Sequence, residues 1–162
     1  MRASRTIGLT LAVTLLSACQ PSIDADVLIE NFMVQDWVMT SSDGTTGHPR
    51  KYASFPKKYR DYVIGKSLMP VETFFYRSSA MVAGKFGLCG RGYLKPGYVA
   101  DIAVIDPDDF APQADFQNPA VLSIGVEYLF VNGQTSIAEG KPRSALAGRT
   151  LTRCPSGESH AQ

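Results

Sequence analysis

The sequence predicts a mixed α/β fold, and two segments carry that expectation. Val71, Phe74, Phe75, Ser78 and Val82 recur at the i, i+3, i+4 spacing of a helix with one buried stripe. Val126 to Val131 is the strongest strand pattern in the chain. It runs into Asn132-Gly133, the dipeptide best suited to a type I′ hairpin turn, with Gln134 to Ala138 returning as its partner. Helices and strands do not alternate in any complete α/β pattern, so a doubly wound sheet is not expected.

The remaining elements follow in order. Ile23 to Glu30 is a short apolar-rich run that reads as a strand, and Asp36 to Thr40, around Trp37-Val38-Met39, as a second. A polar, glycine-containing loop covers Ser41 to Arg50. Pro56 to Ile64 fits a helix with Tyr59, Tyr62 and Val63 on one face, and the striped helix starts near Pro70, whose fixed φ suits a first turn. From Gly90 the texture becomes turn-rich, and Val99 to Ile105 reads as a strand with Asp101 inside it. Asp106 to Pro119 holds three prolines and four acids, which deny it regular structure. The tail beyond Arg153 is polar and expected to fray.

The N-terminus carries an export pattern. Arg2 and Arg5 precede an apolar stretch, Ile7 to Leu16, too short to span a bilayer stably, so it reads as a cleaved signal over residues 1–18. Leu16-Ser17-Ala18-Cys19 resembles a bacterial lipobox, in which the cysteine is acylated and becomes the new N-terminus. Each buried acyl methylene contributes about 0.8 kcal/mol, so several chains on Cys19 would anchor the protein to a membrane. An ordinary signal with an incidental Cys19 is the alternative. Gln20 stands where an aspartate would suggest inner-membrane retention, which points to the periplasmic face of the outer membrane. Cys89 and Cys154 would then meet an oxidising compartment, either paired or as two thiols.

At 44% apolar content the 162 residues suit one soluble domain. The formal charge is +1; without the first 18 residues, 14 basic side chains face 15 acidic ones. That balance, without any Lys/Arg run, argues against nucleic acid as a partner.

Several motifs in order then resemble one family. Ser42-Asp43-Gly44 after the Trp-Val-Met segment, then His48-Pro49-Arg50, Tyr52 and Phe55-Pro56, resemble the last barrel strand and following loop of the D-aminoacylase (N-acyl-D-amino-acid deacylase) family of the amidohydrolase superfamily. Gly92-Tyr93-Leu94-Lys95-Pro96-Gly97-Tyr98-Val99-Ala100-Asp101-Ile102-Ala103-Val104-Ile105-Asp106, Phe116-Gln117-Asn118-Pro119 and Gly125 to Gly133 resemble the segments that build its small β-domain. Asp26 to Asn31 resembles that domain's first strand, and the likeness covers residues 24–31 and 35–152.

The resemblance implies a division of the chain. Residues 19–31 would open the small β-domain, 32–88 would be the C-terminal remnant of a (β/α)8 barrel, 89–153 the rest of a composite β-sandwich built from both chain ends, and 154–162 a tail. It also implies a zinc-dependent hydrolase that directs a metal-activated water at the amide of an N-acyl-D-amino acid. The aspartate ending the last strand touches the metal site, orients the water and shuttles its proton, which maps onto Asp43. The arginine of the His-Pro-Arg loop clamps the substrate carboxylate, which maps onto Arg50. His48 receives no chemical role.

The metal set is incomplete. A catalytic zinc needs about three protein ligands and an open position. The chain has two histidines, His48 and, in the tail, His160, and no His-x-His or His-x-Asp pair. A barrel of this kind takes about 250 residues, more than the whole chain. Sequence of β-domain type meets last-strand sequence at Asn31-Phe32, as an internal deletion would leave it. A shortened, inactive hydrolase and a non-catalytic lipoprotein module are therefore the two expectations. Plainer roles exist for single residues: Asp43 as a turn former, Arg50 and Lys57-Lys58 as solvated charge, Phe74-Phe75-Tyr76 as packing, and Asp101 as a structural hydrogen-bond former.

Overall fold

The computed structural model describes residues 24–154, so the signal segment, Cys19 and His160 lie outside the described residues. The first element is a helix, α1, Ala25–Met33, where the sequence reading expects a strand. Asp24 caps it, its carboxylate accepting the Asp26 N–H at 2.9 Å. The apolar positions 25, 28, 29, 32 and 33 fall on one helical face, a spacing that a short apolar run hides. Asp36 to Thr40 is likewise not a strand. Val38 closes a turn on the Gln35 carbonyl, and the Thr40 N–H donates to the Arg77 carbonyl at 3.2 Å. With no neighbouring strand among the described residues, its Thr40 amide is satisfied by the last turn of a helix instead.

The second helix, α2, spans Arg50–Lys57 and starts one turn and a half earlier than the Pro56 expectation. Pro56 sits inside it, and from Lys58 to Gly65 the chain widens into a π-helix. Proline offers no N–H to the carbonyl one turn back, and a widened ladder after it is one way a helix absorbs that loss. Pro70 caps α3, Val71–Ser78. The expected single helix breaks at Ser79 before α4, Ala80–Phe86. The Ser78 and Ser79 hydroxyls donate to the Phe74 and Phe75 carbonyls at 2.7 and 2.6 Å, competition that favours a bend there.

The β-region is one antiparallel sheet in the order β1 (Ile102–Ile105), β2 (Val126–Val131), β3 (Gln134–Ala138), β4 (Lys141–Pro142). The β2–β3 turn is as expected, with Asn132 and Gly133 at φ 49° and 77°. Among the described residues every strand of this sheet comes from residues 102–142, and the stretch expected to supply a first strand, Asp26 to Asn31, lies in α1 instead. Asp101 plays the expected structural part: it accepts the Asn132 N–H at 2.8 Å and pairs with Arg91, which also donates to the Asn132 side chain at 2.7 Å.

The core lies where the helices meet the loop after β1. Tyr59, Val63, Met69, Phe74 and Phe110 form it, with Met33, Val71, Ile105 and Val126 packed around them. Gly125 lets this loop close, since a Cβ there would stand 2.3 Å from the Phe110 nitrogen. Arg60 fastens the same joint by donating through Nε to the Phe110 carbonyl at 2.8 Å. Cys89 and Cys154 are disulfide-bonded, Cα atoms 5.2 Å apart, which resolves the open alternative in favour of the pair. The bond ties the end of the helical region to the end of the described chain, beside a Cys154 N–H to Gly87 carbonyl bond of 2.8 Å. No helix among the described residues is long and apolar enough to cross a membrane.

Candidate functional site

The polar loop and the start of α2 bring the two expected site residues together. Asp43 sits in the left-handed region at φ 43°, where the short polar side chain of an Asp is tolerated better than most. Its exposed carboxylate lies 3.2 Å from an Arg50 terminal nitrogen. That nitrogen also donates to the Thr45 hydroxyl at 3.2 Å, so loop and helix end are joined through one guanidinium. Arg50 is the first residue of α2, and its backbone N–H donates to His48 Nδ1 at 3.1 Å. His48 thus satisfies an amide that a helix start would otherwise leave without a partner.

The Arg50 side chain borders a cleft of 390 Å³ between α2 and the 112–116 loop, lined also by His48, Ser54, Lys57, Asp115 and Phe116. The Phe116 ring meets the His48 imidazole edge-on at 5.1 Å and is otherwise exposed. Arg50 Nε is buried and has no hydrogen-bond partner among the described residues. One arm of the guanidinium is therefore held by Asp43 and Thr45 while another has none. A carboxylate entering the cleft would compete with Asp43, and the exposed pair is a weak competitor at about 0–1 kcal/mol. Lys57 is occupied by Asp61 at 2.5 Å.

The donor set around Asp43 does not fit a zinc centre. No group of three or more His, Cys, Asp or Glu side chains converges among the described residues. Cys89 and Cys154 are joined to each other, and His48 Nδ1 is taken by the Arg50 amide. Asp43 faces a guanidinium, where a metal-binding carboxylate would need a cation of the other kind.

Relatives of known activity give the context. The chain is 36% identical over 119 residues to a D-aminoacylase of Alcaligenes xylosoxydans xylosoxydans, covering 71% of this chain and 25% of that protein. An N-acyl-D-glutamate deacylase of the same organism is 34% identical over 119 residues, 71% of this chain and 24% of its own length. A crystal structure of D-aminoacylase, described as defining a subset of amidohydrolases, superposes with a TM-score of 0.73 at 32% identity, covering 77% of this chain and 27% of that one. This chain belongs to the D-aminoacylase family of amidohydrolases. An N-acyl-D-glutamate deacylase from Bordetella bronchiseptica, solved with zinc and a phosphonate inhibitor, superposes at 0.64 with 33% identity over 74% of this chain and 27% of its own. No profile of a known protein family matches the chain. It spans about a quarter of the length of these D-aminoacylase relatives.

Motif order located Asp43 and Arg50. It did not locate the buried trio Thr40, Lys58 and Arg77, the polar side chains enclosed by the helical region. Lys58 reads from sequence as solvated charge like Lys57, and nothing local separates the two; only the turn of the helix puts one outside and the other in.

Proposed function

We propose that this protein descends from a zinc-dependent N-acyl-D-amino-acid deacylase, and that it retains the last barrel strand segment, the following helices and most of the small β-domain. The lineage's chemistry is hydrolysis of a non-peptide C–N amide bond in an N-acyl-D-amino acid by a metal-activated water. In that reading Asp43 is the residue placed to handle the water's proton, and Arg50 the one placed to hold the substrate carboxylate. The observation that carries the reading is the 3.2 Å approach of Asp43 and Arg50, in the family's motif order, without a converging set of metal ligands among the described residues. Here the two groups neutralise each other, and the chain by itself does not hydrolyse the amide. The test is release of free D-amino acid from N-acetyl-D-methionine and N-acetyl-D-glutamate by the full chain with zinc supplied. We expect none above a no-protein blank; steady turnover lost in Asp43→Asn would overturn the inactive part of the proposal.

A second reading is a non-catalytic lipoprotein module. It is favoured by a sheet whose strands all come from residues 102–142 and so needs no barrel to pair its hairpin. It requires cooperative thermal unfolding without metal; gradual melting and rapid proteolysis throughout would count against it. In both readings Leu16 to Cys19 supports export and acylation of Cys19, with the protein on the periplasmic face of the outer membrane. Mass spectrometry of the membrane fraction tests this. An acylated Cys19 N-terminus is expected, and an unmodified one would remove the anchor.

A further inference from the structure

Three side chains inside the helical region are polar and buried: Thr40, Lys58 and Arg77, at 8%, 9% and 7% exposure. They form one cluster. Lys58 Nζ donates to the Thr40 hydroxyl at 2.8 Å, and the Thr40 N–H donates to the Arg77 carbonyl at 3.2 Å. The Arg77 guanidinium donates to the carbonyls of Met33 and Val34, at 2.8 and 3.3 Å, at the end of α1. Among the described residues the ion pairs are Arg50–Asp43, Lys57–Asp61, Lys66–Glu30 and Arg91–Asp101. Neither buried cation is in one. Two enclosed positive charges held only by neutral partners are costly, because burial strips their water without supplying a counter-charge. The cost is visible at Lys58, whose pKa is pushed below the usual lysine value, first by desolvation and then by the charge of Arg77.

Lys58 and Thr40 are not sealed off. They border a groove of 360 Å³ between α1 and the 38–41 segment, whose walls are apolar: Leu28, Ile29, Phe32, Val38 and Met39. The outer wall is half open, with Leu28, Ile29 and Phe32 at 47%, 44% and 54% exposure. An ammonium has three donors, and Thr40 uses one. A hydrophobic trough with an unneutralised cation and a hydroxyl at its polar end has one complementary kind of occupant.

We propose that this groove binds an amphiphilic monocarboxylate. The acyl tail lies against Leu28, Ile29 and Phe32, and the carboxylate accepts from Lys58 Nζ with the Thr40 hydroxyl beside it. The headgroup supplies the counter-charge that Lys58 lacks among the described residues, so it is held where an alcohol gains little and an ammonium is repelled. The groove's volume falls within the usual range for small-ligand sites, about 300–1,000 Å³. The site is separate from the Asp43–Arg50 pair: the two clefts flank α2, with Ser54 bordering both.

Isothermal titration of the full chain with octanoate tests this, with octanol and octyltrimethylammonium as neutral and cationic comparators. Octanoate is expected to bind in the Lys58 groove with both comparators at least about tenfold more weakly, the loss of one charge-assisted hydrogen bond, and to do so equally in an Arg50→Ala background, which removes the carboxylate partner of the other cleft. Lys58→Met should weaken octanoate by a similar factor. Lys85→Met, which removes an exposed charge from the last turn of α4 and borders neither cleft, should leave it unchanged. Because Lys58 is buried, Leu28→Glu on the open wall provides a second variant that leaves the core intact, and it should abolish binding. Octanol binding as tightly as octanoate, unchanged affinity in Lys58→Met or Leu28→Glu, or no octanoate binding to the unaltered chain would each overturn the proposal.

Discussion

Replacing Tyr59 by alanine should cost this protein a large share of its stability and uncouple its two regions. Tyr59 is 2% exposed and lies at the joint between the π-helix, α3 and the loop after β1. Its ring stands 5.7 Å from Phe74, 6.4 Å from Phe75 and 5.4 Å from Phe110, all tilted rather than stacked. Truncating a buried aromatic side chain to alanine costs about 3–5 kcal/mol through lost transfer energy and the cavity left behind. Against a typical margin of about 5–15 kcal/mol, that is between a fifth and all of it. For a chain of this size the melting temperature should fall by about 6–20 °C. Urea titration followed by circular dichroism and by Trp37 fluorescence is the assay. Tyr59→Phe keeps the ring and should keep most of the stability. Because Phe110 belongs to the β-region, Tyr59→Ala and Phe110→Ala should be non-additive by about 0.5–1.5 kcal/mol, the value of one aromatic pair. A loss below about 1 kcal/mol in Tyr59→Ala would refute the assignment of this ring as the joint.

Three further outcomes follow from the same structure. The Lys58 pKa lies below its ordinary 10.5, so between the folded value and 10.5 the unfolded chain binds more protons and stability rises with pH. Urea midpoints taken as pH climbs toward 10.5 should therefore rise relative to Lys58→Met, and parallel curves would contradict the burial of that charge. The Cys89–Cys154 bond closes a separation of 65 residues, so losing the cross-link should cost about 4 kcal/mol by loop entropy. Comparing urea midpoints of the oxidised chain and Cys89→Ser/Cys154→Ser checks it, and equal midpoints would sink it. Hydrogen exchange should be slower at Val126–Val131, paired on both sides, than at Trp37–Thr40, which has no strand neighbour. The reverse order would overturn that ranking.

The hairpin was legible because its cause is local: Asn132 and Gly133 accept positive φ, and the flanking runs fix the register. Asp101 was legible in its role and not in its place: the strand expected over Val99 to Ile105 begins only at Ile102, and Asp101, just ahead of it, finds the Asn132 amide and Arg91 as donors. Asp43 and Arg50 were located by motif order, and their mutual ion pair was not, because it depends on how the loop folds onto the first turn of α2. The strand expectation at Asp26 to Asn31 failed on a short apolar run, whose periodicity alone cannot separate strand from helix; the Asp24 cap was the signal for helix. The strand expected at Asp36 to Thr40 failed because a strand needs a neighbour, and pairing is a property of the whole chain. The burial of Lys58 and the pairing of two cysteines far apart are likewise tertiary facts.

This D-aminoacylase-family chain carries Asp43 and Arg50 with no converging set of metal ligands among its described residues. Zinc content of the purified full chain, measured by mass spectrometry after loading with zinc and exhaustive dialysis, tests it most directly. The account predicts zinc far below one ion per chain and no difference between the unaltered protein and Asp43→Ala. One tightly held zinc per chain, lost in Asp43→Ala, would contradict it.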